Sequence, residues 1–338
     1  MTSPRIVTIG GGTGAPIVIQ ALIGAGFRNI SAISTSTDSG GRSGQMRTDE
    51  RDRIISVGDL LRNLLALVPP KALLLPRVQA FIDMSDFTDG RFRNLGYQIY
   101  YALLEKYHDN FLSVQKHLEK LLDIHLAGRA IPVTMEPTHI SFSTFTGAEY
   151  HGEHELDRQS MSANIIRDIW LERRVRATPE ALAAITQATH IIFCPGSIYG
   201  SVLVNFLPAG IIPAIKSSKA VKILISNLIT NRNQTHEFTP LDYYRLFKKY
   251  TRTDPPFDIF VSPGLTRSEF ETRYPRSAAN YATEHSHFLG WDPDQLAILS
   301  KFGIRSVTGQ LLSITSKLYR VRHDPRVLSS IFKKLIPA

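Results

Sequence analysis

The stretch Ile6-Val7-Thr8-Ile9-Gly10-Gly11-Gly12-Thr13-Gly14 runs an apolar strand straight into a glycine-rich turn, and Ala15 to Ala25 supplies the helix that follows. Consecutive glycines carry no Cβ, so the backbone turns tightly and comes close to a ligand while N–H groups and the helix N-terminus face an anion. Gly10, Gly12 and Ala15 also satisfy the G-x-G-x-x-G/A dinucleotide pattern. By itself that pattern also occurs where a tight turn only packs a helix on a strand. A second strand, Ile30 to Ser36, ends in Asp38-Ser39-Gly40-Gly41-Arg42-Ser43-Gly44. Neighbouring parallel strands deliver their C-terminal loops to one edge of a sheet, where open α/β folds bind ligands. Two such loops together favour a phosphorylated ligand.

At 338 residues and 43% hydrophobic, the chain can bury a sizeable core, as one large α/β domain or as a main domain with a smaller lobe. The net charge of +9 is concentrated at the end, where residues 301–338 carry Lys301, Arg305, Lys317, Arg320, Arg322, Arg326, Lys333 and Lys334 against the single acid Asp324. Such a run is more often a solvated helix face than a contact for acidic partners. No aromatic stacking pattern or zinc spacing accompanies it, so no nucleic-acid partner is expected. The single cysteine, Cys194, has apolar neighbours, excludes an internal disulfide framework and fits a reducing compartment. Arg5 precedes the first strand and leaves no room for a signal peptide. The least polar long stretch, Ile191 to Ile215, is broken by Pro195, Gly196, Pro208, Gly210 and Pro213. A cytoplasmic protein without membrane insertion is therefore expected.

Beyond the second glycine turn, the charged segment Arg47 to Arg53 reads as a mobile loop. Gly58-Asp59 precedes an apolar helix, Leu60 to Val68, that stops at Pro69-Pro70, which places Asp59 at the N-cap. Its alternative role is a second carboxylate beside Asp38, holding a divalent cation on a phosphate. Residues 71–130 read as a helical lobe inserted in a domain spanning 1–338. Asp83, Asp86 and Asp89 lack the alternation of a calcium loop, and His151 and His154 lack a third ligand, so both groups read as surface. Ile131 to Glu155 alternates as antiparallel strands with one wet face. A helix over Pro179–Ala188 leads to the strand His190–Cys194, the turn Pro195-Gly196-Ser197 and a helix from about Tyr199; Gly196 and Ser197 can donate to a phosphate or sugar. Strands Lys222–Ser226, ending at Asn227 with Thr230 beyond, and Asp258–Val261 follow. Residues 265–300 yield only a loop and a short helix, and the chain closes with a strand near Gly303–Val307 and a helix Pro325–Leu335.

Taken in order, Ile9-Gly10-Gly11-Gly12-Thr13-Gly14, Thr37-Asp38-Ser39-Gly40-Gly41-Arg42-Ser43-Gly44, Gly58-Asp59, Pro195-Gly196-Ser197-Ile198-Tyr199-Gly200-Ser201 and Asn227-Leu228-Ile229-Thr230 resemble the CofD/YvcK family. The closing Val321-Arg322-His323-Asp324-Pro325 is similar to the YvcK branch. The resemblance implies a Rossmann-like, doubly wound, mostly parallel sheet, here with a helical side lobe and a small antiparallel edge. It also implies one of two functions. CofD proteins are Mg²⁺-dependent transferases that move a phospholactyl-type group from a GDP-linked donor to a deazaflavin alcohol. YvcK proteins bind UDP-sugars and support growth and cell shape on gluconeogenic carbon. This chain departs from the family at Asp38-Ser39, where relatives pair aspartates, at Gly96-Tyr97-Gln98, where they have Gly-Asn-Leu, and at Arg62, displaced by one position.

The leading expectation is a YvcK-like regulator with a nucleotide or nucleotide-sugar ligand. Gly11, Gly12, Thr13, Gly14, Gly40, Gly41, Arg42 and Ser43 receive its diphosphate, Gly196, Ser197 and Tyr199 form the third loop, Asn227 and Thr230 bond base or sugar, and Arg322 pairs with a phosphate. The transferase alternative assigns Asp38 and Asp59 to Mg²⁺. A nicotinamide dehydrogenase ranks last, because the second strand does not end directly in an acid. A second copy of the chain is among the partners this reading allows.

Overall fold

Short runs of β-branched residues bounded by glycine or proline become strands buried on both faces, which is the signature of a parallel sheet covered by helices. The computed structural model describes residues 3–49, 53–157, 165–231, 233–316 and 318–337. The first half runs β1 (Ile6–Ile9), α1 (Gly14–Gly24), β2 (Ile30–Ser34), α2 (Gly41–Asp49), α3 (Gly58–Ala66), α4 (Pro76–Ser85), α5 (Leu95–Lys106), α6 (Phe111–Leu122) and β3 (Gly128–Pro132). It continues through β4 (Ile140–Thr144), β5 (Glu149–His151), β6 (Ile166–Leu171), α7 (Pro179–Gln187), β7 (His190–Phe193), α8 (Ile211–Ser217), β8 (Val221–Ile225), α9 (Pro240–Thr251) and β9 (Ile259–Pro263). The end comprises α10 (Arg267–Arg273), α11 (Pro275–Thr283), α12 (Pro293–Ala297), β10 (Arg305–Gly309), β11 (Leu312–Ile314), β12 (Val321–His323) and α13 (Pro325–Leu335).

Seven strands form one parallel sheet in the order β10-β9-β8-β7-β1-β2-β3. From β1 the chain winds outward through β2 and β3, then returns to β7 on the other side of β1 and winds away through β8, β9 and β10. The strand order therefore reverses between β1 and β7, and open α/β sheets leave a crevice at the C-terminal ends of such strands. This is the doubly wound α/β fold that the sequence implies. Helix α1 packs against α13 and α3 beside the sheet. No helix among the described residues is long and apolar enough to cross a membrane.

Several local readings change. Ile131 lies in β3 and pairs in parallel with Ile33, so the antiparallel strands are β4, β5 and β6, a separate three-stranded sheet in the order β5-β4-β6. Strand β4 is buried along its whole length and has no wet face. The region from about Tyr199 is a π turn, Ile198–Val202, followed by a 3₁₀ turn, Leu203–Phe206, all of it buried. Residues 265–300 fold into α10, α11 and α12. Arg47, expected to open a mobile loop, lies in the last turn of α2 with no exposed surface. Its guanidinium donates to the carbonyls of Thr37 at 3.0 Å, Asp38 at 3.3 Å and Thr138 at 2.9 Å, tying the second glycine loop to the segment after β3. Residues 50–52 of that expected loop lie outside the described residues.

The hairpin β11–β12 docks on the sheet through His323, whose buried Nε2 donates to the Ser226 carbonyl at 3.0 Å. Burial lowers its pKa to about 4, against the Ser226 carbonyl, which favours the protonated ring. Unfolded histidine titrates near 6.5, so His323 costs nothing at neutral pH and withdraws about 3 kcal/mol of stability as pH falls from about 6.5 to about 4. Urea unfolding of the wild type and of His323→Gln at pH 7 and pH 4.5 checks this: the wild type should lose at least 2 kcal/mol more than the variant, by roughly that same linkage. Equal losses would exclude the assignment.

Candidate functional site

The C-terminal ends of β1, β2, β7 and β8 surround an open cleft of about 860 Å³. The strand order fixes the order of its loops: that of β8, then β7, β1 and β2. In the β1 loop, Gly12, Thr13 and Gly14 line the cleft at the N-terminus of α1, where helical N–H groups have no intrahelical acceptor. Gly11 does not line it. A Cβ on Gly11 would stand 1.8 Å from Asp59 Oδ2, so this glycine exists to let a carboxylate lie against the loop. Asp59 Oδ1 accepts the Gly12 N–H at 2.8 Å and Arg62 Nη1 at 3.0 Å. The Gly12 N–H is therefore turned to the protein.

Asp59 is consequently not the N-cap that the sequence suggested. Val57 occupies that position, and Asp59 sits buried in the first turn of α3. Burial first, then the negative charge of Asp38, push its carboxyl above the usual carboxylate range, while Arg62 and the Gly12 N–H pull it back. Arg62 went unassigned in the sequence, although Asp59 and Arg62 stand three apart on one helix and so share a face.

In the β2 loop, Asp38 Oδ1 accepts the Gly40 N–H at 2.9 Å, Gly41 opens α2, and Asp38, Gly40, Arg42 and Ser43 line the cleft. Arg42 also pairs with Asp86 at 3.5 Å. Oδ2 of Asp38 and Oδ2 of Asp59 have no hydrogen-bond partner among the described residues. Two carboxylate oxygens plus phosphate oxygens are a donor set that Mg²⁺ accepts. Among the described residues, no group of three or more His, Cys, Asp or Glu is arranged to hold a metal ion on its own.

The β7 loop brings Gly196 and Ser197 to the cleft. Ser197 Oγ accepts the Gly200 N–H at 3.1 Å and donates to Gln234 Oε1 at 2.9 Å. Tyr199, expected in the site, points into the core, where its hydroxyl donates to the Ile166 carbonyl at 3.4 Å. Asn227 locks this loop to that of β8, since Gly196 N–H donates to its Oδ1 at 3.3 Å and its Nδ2 donates to the Gly196 carbonyl at 2.8 Å. Thr230 Oγ1 accepts the His287 N–H at 2.9 Å. Both residues line the cleft, and both hold its loops together.

The remaining wall comes from α11 and β12. Tyr281 accepts the Val321 N–H at 2.9 Å, and the Arg320 guanidinium lies 5.3 Å from the Tyr281 ring centre while its two terminal nitrogens engage both oxygens of Glu284. Of this wall the sequence singled out only Arg322, which lines the cleft, exposed, with Nη1 donating to the Val321 carbonyl at 2.9 Å. Glu153, from the turn after β5, also reaches the cleft, and no motif in the sequence singles it out.

Known proteins share both the sequence and the fold. The family model for 2-phospho-L-lactate transferase CofD matches residues 6–312. A Thermotoga maritima protein is 31% identical over 279 residues, covering 82% of this chain and 84% of its own. The gluconeogenesis factor of Listeria monocytogenes is 30% identical over 252 residues, 74% of each chain. A crystal structure of a UPF0052 family member from Bacillus halodurans has a TM-score of 0.81 at 24% identity, covers 98% of this chain and 99% of that one, and bears on the fold alone. With the family model matching nearly the whole length, this chain belongs to the CofD family.

Proposed function

We propose that the protein binds a nucleoside diphosphate sugar, of the UDP class, and acts as a regulator of carbon metabolism and of the cell envelope and shape during gluconeogenic growth. One observation carries this reading: the glycine loops of adjacent strands β1 and β2 converge on one cleft at the switch point, beside the N-terminus of α1. Backbone donors and a helix N-terminus suit a diphosphate. Arg322, on the opposite wall, adds a guanidinium whose fork matches two phosphate oxygens. The name of the Listeria relative, gluconeogenesis factor, supports the link to gluconeogenic carbon metabolism.

A second reading, a CofD-type transfer of a phosphorus-containing group from a GDP-linked donor to an alcohol, is favoured by the paired carboxylates. Asp38 lies close enough to raise the Asp59 carboxyl, so a divalent cation held by both would relieve their repulsion. Bound there, Mg²⁺ would neutralise phosphate charge. The residues of the chain would position the diphosphate and hold the cation.

Calorimetric titration with UDP-N-acetylglucosamine, GDP and NADH, each with and without Mg²⁺, separates the readings. UDP-sugar binding indifferent to metal is the expected result; GDP binding that requires Mg²⁺ would move the assignment to the transferase. Arg322→Ala should weaken UDP-sugar binding about tenfold, roughly the worth of one charge-assisted hydrogen bond, without lowering the melting temperature. Unchanged affinity would remove Arg322 from the site. For the transferase, Asp38→Asn should abolish Mg²⁺-dependent turnover, and activity that survives this change or a chelator would count against it.

A further inference from the structure

Glu153 enters the cleft from outside the parallel sheet. It opens the short 3₁₀ turn Glu153–Asp157 that follows β5. Ser39 docks that turn on the β2 loop, its hydroxyl accepting the backbone N–H groups of Glu153 at 2.9 Å and His154 at 3.4 Å. The half-buried side chain lines the cleft with its carboxylate set against two glycines. A Cβ on Gly40 would stand 2.9 Å from Oε2, and one on Gly200 3.0 Å from Oε1. Neither glycine has a left-handed backbone. Ser197 Oγ at 2.9 Å and Leu156 Cδ1 at 3.0 Å also crowd that position on Gly200, and Glu153 is the neighbour common to both glycines. The carboxylate therefore spans the β2 and β7 loops, which flank the β1 loop that receives the diphosphate.

A carboxylate in that position does not bind phosphate directly, because it offers only acceptors and negative charge. What it can bind is a group rich in hydroxyl donors, through charge-assisted hydrogen bonds stronger than neutral ones. We infer that Glu153 receives the hydroxyls of the glycosyl group carried on the diphosphate, and so makes the cleft select a nucleoside diphosphate sugar over the free nucleoside diphosphate. This rests on the nucleotide-sugar reading and adds the residue that discriminates within it.

The test is calorimetric titration of the wild type, Glu153→Ala and Glu153→Gln with UDP-glucose and with UDP. The wild type should prefer the sugar nucleotide. Glu153→Ala should lose about tenfold in UDP-glucose affinity, the scale of one such bond, while UDP affinity stays level or rises as a like charge is removed. Glu153→Gln, which keeps the volume between Gly40 and Gly200, should lose most of the same preference. The Ser39 clamp uses backbone N–H groups that both variants retain, and matching melting curves confirm that the turn is intact. A preserved UDP-glucose to UDP ratio in both variants would overturn the role of Glu153 and leave the nucleotide-sugar reading standing. Equal losses for both ligands would overturn it too, as the mark of a general positional effect. Failure of the wild type to bind either ligand would overturn the underlying reading and this inference with it.

Discussion

A buried carboxylate behind a glycine loop sets the geometry of the cleft. Taking Asp59 out of water costs several kcal/mol unless partners replace its hydration, and about as much again if one partner is then removed. The Gly12 N–H and the Arg62 guanidinium are those partners, and Gly11 supplies the space. Gly10 to Gly14 and Gly58-Asp59 are therefore one device read in two places: the loop cannot relax outward without stranding the carboxylate. The cost falls on function. With the Gly12 N–H turned inward, Thr13 and Gly14 at the start of α1 are left to meet an anion.

The arginines around the cleft are not equivalent. Arg42 pairs with Asp86, Arg62 with Asp59 and Arg320 with Glu284, so each would exchange one partner for another on meeting a phosphate. Arg322 has no ion pair among the described residues, and its pairing with a ligand would be a net gain. The rest of the basic C-terminal run serves differently. Arg326, Lys333 and Lys334 are exposed on α13, and the two lysines stand in its last turn, where the helix dipole favours cations. The reading of a solvated helix face holds for these three, whereas Arg320 and Arg322 precede the helix and line the cleft.

What the sequence made legible are the elements whose causes are local. Strands β1, β2, β7, β8 and β9 are short apolar runs ended by small residues. Helix α13 follows a proline at its first position and shows a strong apolar stripe, which fixes Pro325–Leu335 to the residue. The elements that escaped have distant causes. Helix α2 holds three glycines or serines and several charges in nine residues, a poor helix by propensity, and Arg47 anchors its last turn through carbonyls as far along the chain as Thr138. Asp59 has the sequence signature of a cap, and only its burial against Gly11 shows otherwise. The wall formed by Tyr281 and Val321 joins residues 40 positions apart through a phenol hydroxyl, a contact without periodicity to read.

The cleft's composition also weighs on what it can hold. Its lining combines backbone, hydroxyl, carboxylate and guanidinium groups with a comparable apolar share that includes Ile17, Pro195, Leu228, Ile229 and Val321. Hydrogen bonds here replace water one for one, each worth about 1 kcal/mol net and more where a charge takes part. A ligand gains most from such a surface by presenting polar groups in the right order. Strand β2 does not itself end in an acid placed to read a ribose, since it stops at Ser34 and Asp38 stands in the loop beyond. Anionic groups fit the centre, at the start of α1. Hydroxyl donors fit the side where Asp38 and Glu153 stand, and acceptors fit the side of Arg320 and Arg322. A diphosphate flanked by polar groups on both sides can use all of this sequence of partners, whereas a ligand that meets the cleft through an apolar face can use little of it.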